Sequence, residues 1–439
     1  MATNAKFGPL LGNSIWNTLG SAAPAVVAIP AMGWLARVLG TEKFGLLTLA
    51  WALVGYFAIM DLGIARSVCW LVAQEPRNAR RHQAVLGTSV WASLAFTVGI
   101  GFLGFWFAEE LTGLLNVTPT NSHDAVAGTR ALVLTLPLLV ITTILQAFLE
   151  GLQQFKDVSL QRIVTGVLIA AVPVALTAMT PSLEMAVWGL VVARAVSVII
   201  AYRRLTSLTS LRVSAFDRNI FGQMFRFSGW IALSNFIYPL MGYMDRFWLS
   251  NRVGAGNVAI YTGPAEIVAR ATSVPVAISR ALFPAISDAT VGAQQRSSAR
   301  RKATLLVLLT SGPVAAAFLA FARPLVTVWL GPEIASGGSR VLQVLAIGYL
   351  LSALAQIPFS ALQARGRSKA TAVVHAAELL PYFALLLALG TRFGAYGVAW
   401  AWTIRVAADY FVLAILARWD AGTGAERREA TQPLPGALP

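Results

Sequence analysis

One cysteine, Cys69, stands among 439 residues. Disulfides within the chain and thiolate clusters for metals are thereby excluded. Histidine is almost as scarce. His82, His123 and His375 lie on separate segments, with neither zinc-ligand spacing nor a pairing that would activate a nucleophile. No Gly-Lys dipeptide occurs, so there is no P-loop through which ATP could act directly. Charge is sparse at 12%, and acids are the scarcer sign, with Asp+Glu 19 against Lys+Arg 34. No stretch is long and polar enough to fold as a soluble domain. What fills the space is apolar: 57% of the chain is hydrophobic, and the mean hydropathy is +0.67. A soluble protein of this length could not bury so much apolar surface, so the chain reads as an integral membrane protein.

Apolar segments fall at 11–37, 44–73, 84–108, 130–152, 158–180, 184–204, 224–250, 258–286, 303–329, 340–363, 370–391 and 394–418. Each is long enough to cross about 30 Å of hydrocarbon, giving twelve expected spanning helices. The formal charge of +15 would suggest nucleic acid in a soluble protein. Here it follows the positive-inside rule, and no nucleic-acid partner is expected. With an inside N-terminus, one side receives Arg77, Arg80, Arg81, Arg203, Arg204, Arg300, Arg301, Lys302, Arg365, Arg367, Lys369 and Arg418. Inverting the chain would put that excess outside. Both termini are therefore expected in the cytoplasm. The start, "MATNAKFGPLLGNSIWN", lacks a charged n-region and a small-residue cleavage site, and no signal peptide is predicted.

The halves echo each other in order. Trp16/Trp230, Leu19/Leu233, Gly40/Gly254 and Arg66/Arg280 share one offset, and "ARR" at 79–81 recurs at 299–301. Six helices per repeat is even, so the repeats enter from the same side and are parallel. The expected fold is all-α, with twelve transmembrane helices in two six-helix lobes, V-shaped around a central cleft. The expected divisions are an N-terminal lobe (1–204), a cytoplasmic linker (205–218), a C-terminal lobe (219–418) and a disordered tail (419–439) rich in Pro and Gly.

The stretch "LARVLGTEKFGLLTLAWALVGYFAIMDLGIARSV" (35–68) carries an LG-x-x-x-FG turn in Leu39, Gly40, Phe44 and Gly45, then a long apolar helix ending in Asp61 and Gly63. The second half has "YMDRFWLSNRVGAGNVAIYTGPAEIVARATSVPVAISRALFPAIS" (243–287), with a VG turn and a closing LFP. These elements resemble the polysaccharide transporter family of Wzx-type flippases, within the multidrug/oligosaccharidyl-lipid/polysaccharide superfamily. The resemblance implies a multi-pass protein of the bacterial inner membrane that turns over an undecaprenyl-diphosphate-linked oligosaccharide by alternating access. It also implies contact with membrane lipids, and with a glycan polymerase and chain-length regulator as further partners. No cofactor is expected beyond H+ or Na+ coupling. The chain departs from the lipid II flippase branch in having no helices beyond twelve.

A diphosphate crossing hydrocarbon calls for a cationic cleft, and arginine's planar fork suits two phosphate oxygens. Arg270 is the first candidate. It lies about 18 Å below the start of its helix, with Glu266 one turn earlier. Arg246, beside Asp245, and Arg37 sit near outer helix ends, where a role at the periplasmic mouth competes with simple snorkelling. Asp61, Arg194, Arg405, Asp409 and Glu378 form a second group, read as gating or structural charge. Asp61 is the only acid deep in the first half, which makes an Asp61–Arg194 bridge the expectation. Arg405 and Asp409, at i and i+4, are expected to pair with each other. His375 and Glu378 read either as a satisfied interior pair or as a proton site. Pro275 is expected to bend its helix at mid-membrane. No residue set supports catalysis.

Two other readings remain open at the level of sequence. An H+- or Na+-coupled multidrug exporter would want acids rather than arginines in its cleft. A membrane polymerase or ligase of the same pathway would need a large external loop, which is missing.

Overall fold

In lipid every backbone N–H and C=O must find a partner within the protein, which favours helix throughout. The computed structural model describes residues 7–59, 64–75, 78–208, 213–279, 293–365 and 367–429, and among them no strand occurs. Asp61 and Gly63 fall outside the described residues, and so does the expected Asp61–Arg194 bridge.

The helices of the first half are α1 (Phe7–Ile59), α2 (Ile64–Gln74), α3 (Ala79–Trp106), α4 (Ala108–Gly113), α5 (Pro119–Val133), α6 (Thr135–Gly151), α7 (Phe155–Met179) and α8 (Leu183–Leu208). Those of the second are α9 (Arg218–Val253), α10 (Ala255–Ala271), α11 (Ala293–Ala320), α12 (Ala322–Leu330), α13 (Pro332–Ala364) and α14 (Ser368–Glu429). Among the described residues, 8 stretches are long and apolar enough to cross a membrane.

Two helices, α1 with 53 residues and α14 with 62, are long enough for two crossings. Straight, the 62 residues of α14 would extend about 93 Å, three times the hydrocarbon core. Gly394 interrupts it with φ 56°, ψ −135°, a conformation that side chains disfavour. The limbs then fold back on each other: a Cβ on Gly397 would lie 2.0 Å from the carbonyl oxygen of Leu389. Gly40 (φ 75°, ψ 171°) breaks α1 in the same way. Gly254, which the sequence comparison of the halves set against Gly40, separates α9 from α10 with φ 96°, ψ 156°, nearly the same backbone geometry.

By contact density the chain forms two compact units, Met1–Ala259 with Trp329–Gly331, and Ile260–Val328 with Pro332–Pro439. The start of α9 belongs to the core of the first unit. Ile220 and Met224 pack there with Leu71, Leu86, Ile144 and Phe148. Residues 205–208 of the expected linker are the end of α8, and Leu205 is wholly buried in that core. Helix also enters the start of the expected tail. Helix continues to Glu429, as Ala, Glu and Arg extend an already nucleated helix more readily than Gly422 and Gly424 interrupt it.

In the first unit the LG-x-x-x-FG turn is a polar latch. Glu42 accepts hydrogen bonds from Thr118 N (2.7 Å), Thr118 Oγ1 (2.7 Å) and Asn121 Nδ2 (2.6 Å). Lys43 Nζ lies 2.7 Å from Asp124 Oδ2. Asp124 in turn accepts from Leu183 N and Glu184 N, at 3.0 and 2.9 Å. Its carboxylate thus satisfies two of the N–H groups that the start of α8 leaves unpaired. On the other rim Arg162 meets Glu150 at 2.5 Å, and Arg204 meets Asp157 at 2.8 Å.

In the second unit the core joins α11, α13 and α14. Val307, Ala353, Ile357 and Ala361 form one cluster, and Leu362, Leu413 and Ala417 another. Gly348 on α13 admits Trp402 of α14, and Thr403 Oγ1 donates to Val344 O at 3.1 Å. Just before Pro275 the helix is interrupted. Helix α10 ends at Ala271 and Thr272 is a turn, with helix resuming at 273–279. Proline has no N–H for the carbonyl four residues back and its ring crowds that group. That carbonyl is Ala271 O, and Tyr349 OH reaches it at 3.5 Å.

Candidate functional site

The last turn of α10, just above this break, carries Glu266 and Arg270. The i, i+4 spacing puts them on one face, and Arg270 NH2 lies 3.9 Å from Glu266 Oε2. That separation is an ion pair at its outer limit rather than a closed fork. The two side chains are 30% and 28% exposed, deep enough to be partly desolvated yet open to a ligand. Arg270 Nε is buried without a hydrogen-bond partner. The guanidinium therefore keeps donor capacity that its glutamate does not use, as anion binding requires.

Arg246 and Arg37 belong to the other unit. Arg246 stacks over the Tyr243 ring, 5.6 Å from its centroid, and its own N–H donates to Asp245 Oδ1 at 2.8 Å. Asp245 is 3% exposed, so this corner is packed as well as charged. Arg37 is exposed on α1. Of the four residues expected to bind substrate, Arg270 and Glu266 lie together in the second unit, and Arg246 and Arg37 belong to the first.

The second group of charges is assembled differently from the expectation. Arg405 does not pair with Asp409. Its NH1 lies 3.9 Å from Glu378 Oε2, whereas Asp409 Oδ1 faces His375 Nε2 at 3.5 Å. The fold-back at Gly394 sets one limb of α14 against the other, so contacts across the hairpin replace those along a single limb. Arg405 also lies over the Tyr382 ring, 5.6 Å from its centroid, and the Phe359 ring of α13 stacks on His375. Tyr382 was not singled out in the sequence, although it shares a helix face with Glu378 at i+4. Tyr349 was missed for a different reason: only the tertiary fold brings it to Ala271. Arg194 is half-buried on α8.

A pocket of about 370 Å³ in the first unit is almost wholly apolar, with Leu46, Leu49, Leu53, Leu132 and Phe247 in its wall. Asn251 is one of its few polar groups, and its Nδ2 already donates to Leu114 O at 2.6 Å. The pocket can take hydrocarbon but has nothing to hold an anion.

Comparison with known proteins gives the family. The model for "Polysaccharide biosynthesis protein" matches residues 10–290. The chain belongs to that family. A second model, MatE, matches residues 231–386. Over 410 residues the chain is 36% identical to a Shigella flexneri protein named "Putative O-antigen transporter", covering 93% of this chain and 97% of the other. Solved structures show the fold at far lower identity. An inward-facing multidrug-resistance MATE transporter superposes with a TM-score of 0.78 at 14% identity, over 92% of this chain and 98% of that one. The lipid II flippase MurJ, in an inward closed conformation, gives 0.73 at 12% identity, over 91% and 87%. This family member is therefore a multi-span helical membrane protein with a MATE-like fold.

Proposed function

We propose that this protein is a flippase that carries a polyprenyl-diphosphate-linked oligosaccharide across the bacterial inner membrane. The near full-length likeness to the protein named "Putative O-antigen transporter" carries this reading. The Arg270 guanidinium, held loosely by Glu266 and with a donor to spare, supplies the charge that a diphosphate needs. Two six-helix halves related by a parallel repeat would alternate access to it. The shared backbone geometry of Gly40 and Gly254 supports that repeat. Hydrocarbon stays in lipid or in apolar wall, while the headgroup exchanges water for arginine.

The test is a strain lacking this gene. It should lose surface glycan and accumulate lipid-linked oligosaccharide that only enzymes on the cytoplasmic face can reach, and the plasmid-borne gene should restore export. A strain with normal surface glycan but heightened sensitivity to cationic drugs would favour the exporter reading, which the MatE match also accommodates.

The proposed orientation places both termini in the cytoplasm, since the basic residues cluster on that side. A reporter fused after Arg418 should behave as cytoplasmic, and one fused within 112–126 as external. An external reporter after Arg418 would overturn the orientation and the even helix count with it.

A further inference from the structure

The first two turns of α9 and the loop before them carry a surface that the flippase reading does not use. Phe216, Phe221 and Phe225 are exposed and stack in a row, with successive ring centroids 5.4 and 6.4 Å apart. We propose that this surface, residues 213–226 with Arg80 beside it, is an anchor that binds the anionic phospholipid headgroups of the surrounding bilayer. The proposal does not depend on what the protein transports.

The surface begins as a two-faced helix. Ile220 and Met224, one turn apart, are buried in the core of the first unit. Phe221 and Phe225 have the same spacing on an exposed face, and Arg218 stands nearly opposite Ile220 around the axis. The loop is held as firmly as the helix. Ser214 Oγ donates to Gln83 O at 2.8 Å, Trp91 Nε1 donates to Ser214 O at 3.1 Å, and Asp217 N donates to Thr88 Oγ1 at 2.9 Å. Gly87 allows this close docking, since a Cβ there would lie 2.4 Å from Ser214 O. The three rings are therefore displayed on a platform fixed to α3.

Composition sets this platform at headgroup depth. Residues 213–226 mix the phenylalanines with Ser214, Asp217, Arg218, Asn219, Gln223 and Arg226, too polar for acyl chains and too aromatic for water. Charge then selects the lipid. The acids beside the platform, Asp217 and Glu75, are engaged. Asp217 caps α9 by accepting from Asn219 N and Ile220 N, and Glu75 pairs with Arg81 at 2.6 Å. Arg81 also donates to Gln223 Oε1 at 3.2 Å, which brings Arg80 and the start of α3 to the same rim. Arg80, Arg218 and Arg226 are exposed, and among the described residues none of them pairs with an acid. An arginine fork fits phosphate oxygens while its stem lies along the apolar boundary. Arg218 and Arg226 are about 12 Å apart along the axis, far enough to take two separate phosphates. A zwitterionic headgroup brings a cation with each phosphate, so anionic phospholipids gain more from three arginines without acidic partners.

The test uses full-length protein in nanodiscs of phosphatidylcholine, alone or with about one quarter phosphatidylglycerol to supply negative surface charge. Backbone hydrogen exchange over 213–226 is the readout. Wild type should exchange severalfold more slowly in the anionic discs, and raising salt to about 0.5 M should erase most of the difference by screening. Arg218→Gln combined with Arg226→Gln should remove the lipid dependence. Lysine at both positions should keep most of it, because each cation near an anionic surface contributes about fivefold in affinity. Phe221→Ser combined with Phe225→Ser should exchange faster in both kinds of disc, since the rings insert whatever the headgroup. These side chains are exposed, so every variant should melt in detergent as wild type does, which separates lost lipid contact from lost folding. Equal exchange of wild type in the two discs overturns the proposal. Protection that appears only when a lipid-linked diphosphate is doped into neutral discs overturns it too, and makes the surface an entry point for substrate. Protection given as strongly by inorganic phosphate as by phosphatidylglycerol reduces the surface to an adventitious anion site and has the same consequence.

Discussion

Arg270→Ala is expected to abolish surface glycan, or reduce it at least about tenfold, while the protein still inserts at its normal level. A charged hydrogen bond to a phosphate contributes about 1.5–3 kcal/mol, and here the guanidinium has no substitute on its own helix: the other charged residue of α10 is Glu266. Arg270→Lys keeps the charge but presents a point donor in place of a fork, so its export should fall between the two. Glu266→Gln discriminates between roles. If Glu266 only limits where Arg270 can swing, its loss costs little, because the pair is already 3.9 Å apart. If Glu266 carries the coupling proton, the defect should approach that of Arg270→Ala and vary with external pH. Surface glycan per unit of membrane-inserted protein is the measurement. Wild-type export from Arg270→Ala would show that the arginine is structural and that Arg246 or Arg37 grips the headgroup.

Gly45→Ala is expected to damage folding more than any other single methyl addition in the first unit. A Cβ there would sit 2.0 Å from the carbonyl oxygen of Ala255 and 2.9 Å from its carbon. These are backbone atoms and cannot rotate away. Ala255 opens α10 immediately after Gly254, so the crowded group is pinned by the turn between two helices. Next to Gly45, Phe44 is 0% exposed and leaves no room for α1 to withdraw. Overpacking of this kind costs about 1–3 kcal/mol or more. Thermal unfolding of purified protein should show a melting temperature lower by several degrees, with reduced yield of folded material. Gly99→Ala is the control. Nothing lies within 4 Å of its added Cβ, and within α3 the substitution should be neutral or slightly stabilising.

The same glycines show how far the sequence could be read. The LG-x-x-x-FG pattern was legible as a turn, and Gly40 and Gly254 do adopt positive φ. What Gly45 contributes was not legible, since it depends on a carbonyl 210 positions away in the chain. Pro275 was legible because its effect is local: a missing N–H and a crowded carbonyl break the helix whatever surrounds it. Arg270 and Glu266 were legible as neighbours for the same reason, through helical spacing alone. Arg405 and Asp409 have that spacing too, yet each found a different partner.

Class and composition follow from the sequence by itself. Apolar runs of membrane length force helix, because lipid offers no partner for free backbone groups, and the sparse charges are conspicuous for being few. The tertiary structure decided which charges meet. At Gly394 the chain doubles back, and the contacts that result, His375 to Asp409 and Glu378 to Arg405, join residues about 30 positions apart in the chain. Spacing along one helix ranks neighbours only on that helix. Once two limbs pack face to face, a charge across the seam can lie nearer than one a turn away, and the fold rather than the spacing sets the pairing.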